Sequence, residues 1–410
     1  MRIALRFVVP ALLLLPILGV SQRGFSQPAH SQPARAVQPP PVPAPPAIDA
    51  QVRTLMARTH ANGIAVAVVD HGRVRYLHAF GIRNAQGGPL TTHTVMYGAS
   101  LTKTVFAYTV MRLVDRHTLS LDTPLRDDLD HPLPSYTDPA IRHKYAPYQD
   151  LAGDSRWRQI TPRMCLTHAT GFGNFWFLEP DHKLHIHFTP GSRFSYSGDG
   201  FVLLQFAIEH GRKAQGLGLD VGNLTNAMFG RLGMTRSSLV WRADFTANNA
   251  GGWDDHGKPY PHNRNSKVRA AGSMDTTISD MARFAAALVS GRGLSRASFA
   301  AMTGPQVHIT TAHQFPILLP ELPPSRQRKD LYAGLGVIVF NGPQGHGFYK
   351  GGHDSQTANT MVCLKASRRC VVILSNDVRA EAGFANLVHF ILGSTGVPYD
   401  WEYGDYAGHS

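Results

Sequence analysis

Gly98-Ala99-Ser100-Leu101-Thr102-Lys103 runs straight into Thr104-Val105-Phe106-Ala107-Tyr108-Thr109-Val110-Met111-Arg112-Leu113-Val114. The stretch after Lys103 is apolar on nearly every face, which predicts a buried helix. Read alone, Ser100 is an N-cap, because a serine hydroxyl satisfies a free amide at a helix start. Ser-x-x-Lys is also cheap as a pattern. With 24 serines and nine lysines in 410 residues, roughly 0.5 such pairs arise by chance. Placement gives the pair its weight. A lysine in the first turn opposes the helix dipole, which favours anions there. An unpaired ammonium opening a buried helix is costly. At i and i+3, Ser100 and Lys103 share one face. Burial and a second cation lower a lysine pKa, so that the amine accepts the serine proton. The Ser100 N–H, at the positive helix end, is placed to stabilise an oxyanion.

Around this stretch the composition is that of a folded protein. The chain is 43% hydrophobic and 17% charged, too apolar for a disordered polymer. Three cysteines exclude a disulfide scaffold. Lys plus Arg is 40 against 28 acids, yet only nine of the 40 are lysine. The basic residues are scattered, with Arg326–Lys329 the densest patch, so no nucleic-acid groove is expected.

The N-terminus carries Arg2 and Arg6, then an apolar run from Phe7 to Val20 broken by Pro10 and Pro16. It is shorter than the roughly 18–20 residues that span a bilayer. Residues 1–26 read as a secretory signal peptide, with an uncleaved anchor as the alternative. No transmembrane span is expected after signal removal. Cleavage there removes three arginines and no acid, taking the net charge from +12 to +9. Residues 27–47 hold eight prolines and read as an extended spacer. The chain is then expected to be exported, to a periplasmic or extracellular site, where disulfides persist. Cys363 and Cys370 flank Leu364–Arg369 between two apolar runs, the look of a hairpin. Equal offsets from the turn place the sulfurs opposite each other, as a bridge or as two buried thiols. Cys165 reads as a packed small hydrophobe.

Ile48–His60 reads as a helix, and Gly63–Asp70 and Arg73–Phe80 as strands joined by His71-Gly72. Helical patterns dominate the middle, at Thr102–Arg116, Phe201–His210 and Ser279–Ser290. Strand patterns return at Leu335–Phe340, Thr360–Leu364 and Cys370–Leu374, before a helix at Ala380–Leu392. This order predicts an α+β domain over residues 48–400. Its central antiparallel β-sheet is formed by the N- and C-terminal segments and flanked by helices, with a large all-α lobe inserted. Residues 401–410 read as a tail. A cleft is expected where the lobes meet.

Several segments resemble the serine β-lactamase and penicillin-binding superfamily. The resemblance is to the branch with class C β-lactamases, D-alanyl-D-alanine carboxypeptidases and esterases. Met96–Lys103 is similar to its F-x-x-A-S-x-T-K run, and Ile160–Gly171 to I-T-I-R-x-L-L-T-H-T-S-G. Pro190-Gly191 followed by Phe194-Ser195-Tyr196-Ser197 resembles P-G-x-x-F-x-Y-S-N. Leu232-Gly233-Met234, Ala271-Gly272-Ser273 and Asp280–Phe284 are further landmarks, in the right order across about residues 48–395. The resemblance implies a β-lactamase/transpeptidase-like fold and no cofactor. It implies an acyl-enzyme formed on Ser100, with Lys103 and Tyr196 relaying the proton. Read alone, Tyr196 is a half-buried aromatic ahead of a helix. Lys350-Gly351-Gly352 resembles the K-T-G element, although read alone it is a turn with a solvated lysine. By resemblance Lys350 steadies the tyrosinate and attracts a substrate carboxylate. Gly351 and Gly352 then touch substrate, and the His353 N–H is the second oxyanion donor beside that of Ser100.

Two positions depart from the pattern. Gly198 stands where Y-x-N has asparagine, and Gly351 where K-T-G has threonine or serine. Both changes weaken recognition of β-lactams and D-Ala-D-Ala without touching the nucleophile. The expected function is therefore an exported serine hydrolase acting on an ester, an amide or a D-amino-acid peptide, with a small-molecule or peptidoglycan-derived substrate. A slowly acylated, penicillin-binding-like sensor or an envelope-ligand binding module is the second class. His182, His185 and His187 offer a His-x-His zinc alternative. It lacks the usual carboxylate just after the pair, so no metal is expected.

Overall fold

The computed structural model describes residues 38–404. The expected signal peptide and most of the expected proline spacer lie outside the described residues. The chain enters on α1 (Pro45–Thr59), so Pro45 and Pro46 belong to a helix and not to the spacer. Proline suits that first turn, where its missing N–H has no intrahelical partner anyway. Next come β1 (Gly63–Asp70) and β2 (Arg73–Gly81). Their turn has His71 and Gly72 at positive φ (51° and 75°), which matches the right-handed twist of a hairpin.

The other strands come late: β3 (Val307–His308), β4 (Leu331–Ala333), β5 (Ile338–Gly342), β6 (Gly345–His353), β7 (Ala358–Leu364) and β8 (Arg369–Ser375). They form one eight-stranded sheet in the order β2-β1-β8-β7-β6-β5-β4-β3. Every pairing is antiparallel. The N-terminal hairpin is thus zipped onto the C-terminal one, with Ile64 opposite Ser375. The structure shows the expected fold class.

Both faces of β1 are covered, which is why it reads as a continuous apolar run. Ile64, Val66 and Val68 join the core of α1 and of α5 (Phe384–Leu392). Ala65, Ala67 and Val69 face the other core, with α4 (Ile278–Val289). Burying each of these valines contributes about 1.5–3 kcal/mol. Between the two groups of strands lie α2 (Leu101–Asp115) and α3 (Gly198–His210), both joined to the second core, and long loops, of which the one with Phe194 and Tyr196 joins the first.

A second boundary differs from expectation. Tyr399–Tyr403 forms a short helix whose Trp401 is fully buried, its ring 5.7 Å from Phe194. The domain therefore includes the start of the presumed tail, because the apolar surface of Tyr399 and Trp401 favours burial. Cys363 and Cys370 face each other across β7 and β8 and form a disulfide, while Cys165 is a buried free thiol. No helix of the described residues is long and apolar enough to cross a membrane.

Candidate active site

Ser100 occupies the N-cap position of α2, yet its hydroxyl makes no capping bond. It accepts instead from Tyr196 OH at 2.7 Å and from Lys103 Nζ at 3.1 Å. A polar side chain withheld from its ordinary structural duty is free for chemistry. The turn that delivers it is strained, since Ala99 sits at φ 44°, in the left-handed region. Its approach is pinned on both sides. Met96-Tyr97 pairs with Asp275-Thr276, Gly98 N–H donates to Met274 O at 2.8 Å, and Asn359 Nδ2 donates to Tyr97 O at 3.1 Å.

Lys103 is 1% exposed. It donates to Ala271 O at 2.6 Å and lies 4.9 Å from the Tyr196 ring centre. The Ala271-Gly272-Ser273 landmark thus has a physical task, offering a carbonyl to the buried amine. Burial pulls the Lys103 pKa below its ordinary value, and the Lys350 charge adds to this against the pull of Tyr196. Lys350 is no solvated turn residue. It lies within β6, is 3% exposed, and donates to Gly351 O at 2.6 Å. Its ammonium is 5.1 Å from the same Tyr196 ring. Burial pushes it down to about 8, opposed by the charge of Glu402.

The strand brings its glycines to Ser100. A Cβ on Gly352 would stand 3.2 Å from Ser100 N. Gly351 lies opposite Thr360 in β7, and His353 ends the strand opposite Ala358. The His353 side chain turns away to Glu381, Nδ1 to Oε2 at 2.9 Å. Burial works to lower its pKa, but the Glu381 bond and charge hold it above the ordinary histidine value.

Four residues of the site escape a reading of the sequence alone. His168 stacks on Tyr196 with ring centres 4.5 Å apart. Its Nδ1 lies 3.0 Å from the Ser197 N and 3.1 Å from the Ser197 O, so the ring is held by the Ser197 backbone in either tautomer. Burial, then the Lys103 and Lys350 charges, depress its pKa strongly, so it stays neutral beside the two amines. Asp199 is buried and pushed well above the carboxylate range, although the Trp176 N–H donates to it at 2.6 Å. Phe175 fills the space above Gly198, where a Cβ would meet its ring at 2.3 Å. An asparagine side chain at 198 has no room. Asn174 lies beside it and accepts the Gly198 N–H through Oδ1 at 3.0 Å. Only the T-H run pointed toward this cluster.

The histidine triplet does not converge. His182 Nδ1 bonds Phe177 O, His185 pairs with Asp181 and His187 with Glu179. Among the described residues no three metal-ligating side chains of the Asp, Glu, His and Cys types come together. Ser375, Asn376 and Asp377 are buried and structural, with Asp377 paired to Arg379 at 2.7 Å.

The chain resembles known proteins at two levels. It is 30% identical over 133 residues to Esterase EstB of Burkholderia gladioli. That stretch covers 32% of this chain and 30% of the esterase. Among solved structures it superposes on a D-alanine carboxypeptidase, AmpC, from Burkholderia cenocepacia, with a TM-score of 0.62 at 17% identity. The superposition covers 85% of this chain and 98% of that one. It also superposes on a class C beta-lactamase in complex with cefoxitin, with a TM-score of 0.63 at 18% identity, covering 84% and 97%. These structures share the fold. The beta-lactamase family model matches residues 48–392, nearly all of the described domain. From α1 to α5, then, this chain belongs to the beta-lactamase family of serine hydrolases.

Proposed function

We propose that the protein is an exported esterase-like hydrolase that works through an acyl-enzyme on Ser100. One observation carries the reading: Ser100 Oγ lies within hydrogen-bonding reach of both Tyr196 OH and Lys103 Nζ. With Lys103 as a neutral amine and Tyr196 beside it, the serine proton passes to this pair as Oγ attacks the substrate carbonyl. The backbone amides of Ser100 and His353 hold the oxyanion. Collapse expels the leaving group, which takes the proton. Water then attacks the acyl carbonyl, gives its proton to the same pair, and releases the acid as Ser100 recovers its own.

A neutral ester suits the site better than a substrate with a free carboxylate. Gly351 brings no hydroxyl, Phe175 fills the place of a side-chain amide, and Glu402 already acts on Lys350. The likeness to Esterase EstB supports the same reading. Export is supported by the apolar N-terminal run and by the Cys363–Cys370 bridge, which suits an oxidising compartment.

Intact-mass measurement after a fluorophosphonate tests the nucleophile. One adduct is expected on the wild type and none on Ser100→Ala. An adduct that survives Ser100→Ala refutes the mechanism. Multiple-turnover hydrolysis of p-nitrophenyl butyrate separates an enzyme from a sensor that is labelled but does not turn over.

A further inference from the structure

We propose that Phe175, Phe177 and Phe315, with Ile317, form an apolar subsite that takes the hydrocarbon arm of the ester cleaved at Ser100. This rests on the reading of Ser100 as the nucleophile. Large hydrophobic side chains scattered over a surface need no explanation, but a cluster beside a reactive group does. Phe177 is 41% exposed and Phe315 47%, with Leu178 at 64% next to Phe177.

These residues reach the catalytic centre as one wall. The Phe315 ring is 5.3 Å from that of Tyr196. Phe175 and Phe177 stack at 5.1 Å with planes 9° apart, and Phe175 closes over Gly198, two residues from Tyr196. Ile317 Cδ1 joins the halves, 3.6 Å from where a Gly173 Cβ would stand.

Both halves are tied to the short stretch that carries Tyr196. Ser195 Oγ accepts the Leu318 N–H at 3.1 Å. Asn174 O accepts the N–H groups of Gly198 and Asp199 at 2.8 Å each, and Asp199 holds the Trp176 N–H. The backbone that carries the rings is therefore tied to the Tyr196 stretch before any ligand arrives. Of the acids bordering this wall, Glu179 is paired with His187 at 2.9 Å and Asp199 is buried. An alkyl or aryl arm laid on these rings buries its own surface and part of the wall with it.

The test is chain-length selectivity in two ester series, p-nitrophenyl esters from acetate to hexanoate and alkyl acetates from ethyl to hexyl. One series should show kcat/KM rising about tenfold for two added methylenes, the gain expected from burying them. Phe315→Ala and Phe177→Ala should each flatten that rise to about threefold or less. Val74→Ala, which truncates an exposed valine on the sheet edge, should keep it in full. A wild type that turns over esters with no preference in either series overturns the proposal. So does a slope that survives both phenylalanine variants, or labelling of Ser100 without ester turnover. If the fluorophosphonate adduct is missing or survives Ser100→Ala, the reading of the nucleophile fails, which is a separate result.

Discussion

The backbone of Gly352 lies directly against that of Ser100. A Cβ at Gly352 would stand 3.2 Å from Ser100 N, 3.0 Å from Leu101 N and 2.9 Å from Gly98 O. It would therefore sit in front of the Ser100 amide, the proposed oxyanion donor. Gly352→Ala is expected to lower kcat/KM for esters by about 10²–10³-fold, the usual cost of one lost oxyanion donor. The circular dichroism spectrum should not change. Activity within tenfold of wild type would overturn the placement of this amide as an oxyanion donor blocked by a Cβ at 352.

Under the proposed mechanism, function opposes stability at Lys103. Its ammonium is buried, and a methionine of similar length and volume needs no solvation there. Against this, Ala271 O loses its donor, a cost of about 1–3 kcal/mol. The two effects nearly cancel, so Lys103→Met should melt within a few degrees of the wild type. Its kcat/KM should fall by at least about 10³-fold, because no base remains at i+3 from Ser100. A collapse of the melting temperature would place the lysine in the architecture and not in the chemistry.

The disulfide closes a short loop. Cys363 and Cys370 are seven residues apart, directly opposite in β7 and β8. Chain-entropy arguments give such a bridge about 2–3 kcal/mol, and the strand pairing around it already restricts the same ends. The double variant Cys363→Ala, Cys370→Ala should therefore lose about 2 kcal/mol or less in denaturant titrations. Ester turnover should be unchanged, since neither sulfur touches the site. Denaturing alkylation should find one thiol, Cys165, before reduction and three after. Three before reduction would refute the bridge.

Much of the site was legible because its residues break local rules. A lysine opening a buried helix and a serine three residues before it stand out in any sequence. The strands β1, β7 and β8 were legible because both of their faces are buried and β-branched. The strand β6 was not. Gly345, Gly347, Gly351 and Gly352 leave it almost no side-chain pattern, and Lys350-Gly351-Gly352 alone looks like a turn. Those glycines serve close approach, as where Gly347 packs under Phe340 and Gly352 against Ser100. His168 and Phe175 were missed for another reason. They act through stacking and space-filling across the fold, which no spacing in the chain records. The tail failed because Trp401 draws its stability from Phe194, about two hundred residues away.

Lys350 separates activity from stability along the pH axis. Its pKa is pushed down to about 8, from 10.5 in the unfolded chain. Below about pH 8 it is an ammonium beside the Tyr196 ring and Glu402, and above it a neutral amine. If its charge favours proton transfer through Tyr196, kcat/KM should fall as pH rises through about 8. Lys350→Arg stays charged throughout and should lose that alkaline limb, even with a lower plateau. Stability runs the other way. Between about pH 8 and 10 the unfolded chain holds a proton that the folded chain has released, so folding gains as pH rises. Below pH 8 the cost of burying the charge is fully present. The melting temperature of the wild type relative to Lys350→Met should therefore rise between pH 8 and 10, across the window in which activity declines. A flat difference, together with an alkaline limb that persists in Lys350→Arg, would assign that limb to another group.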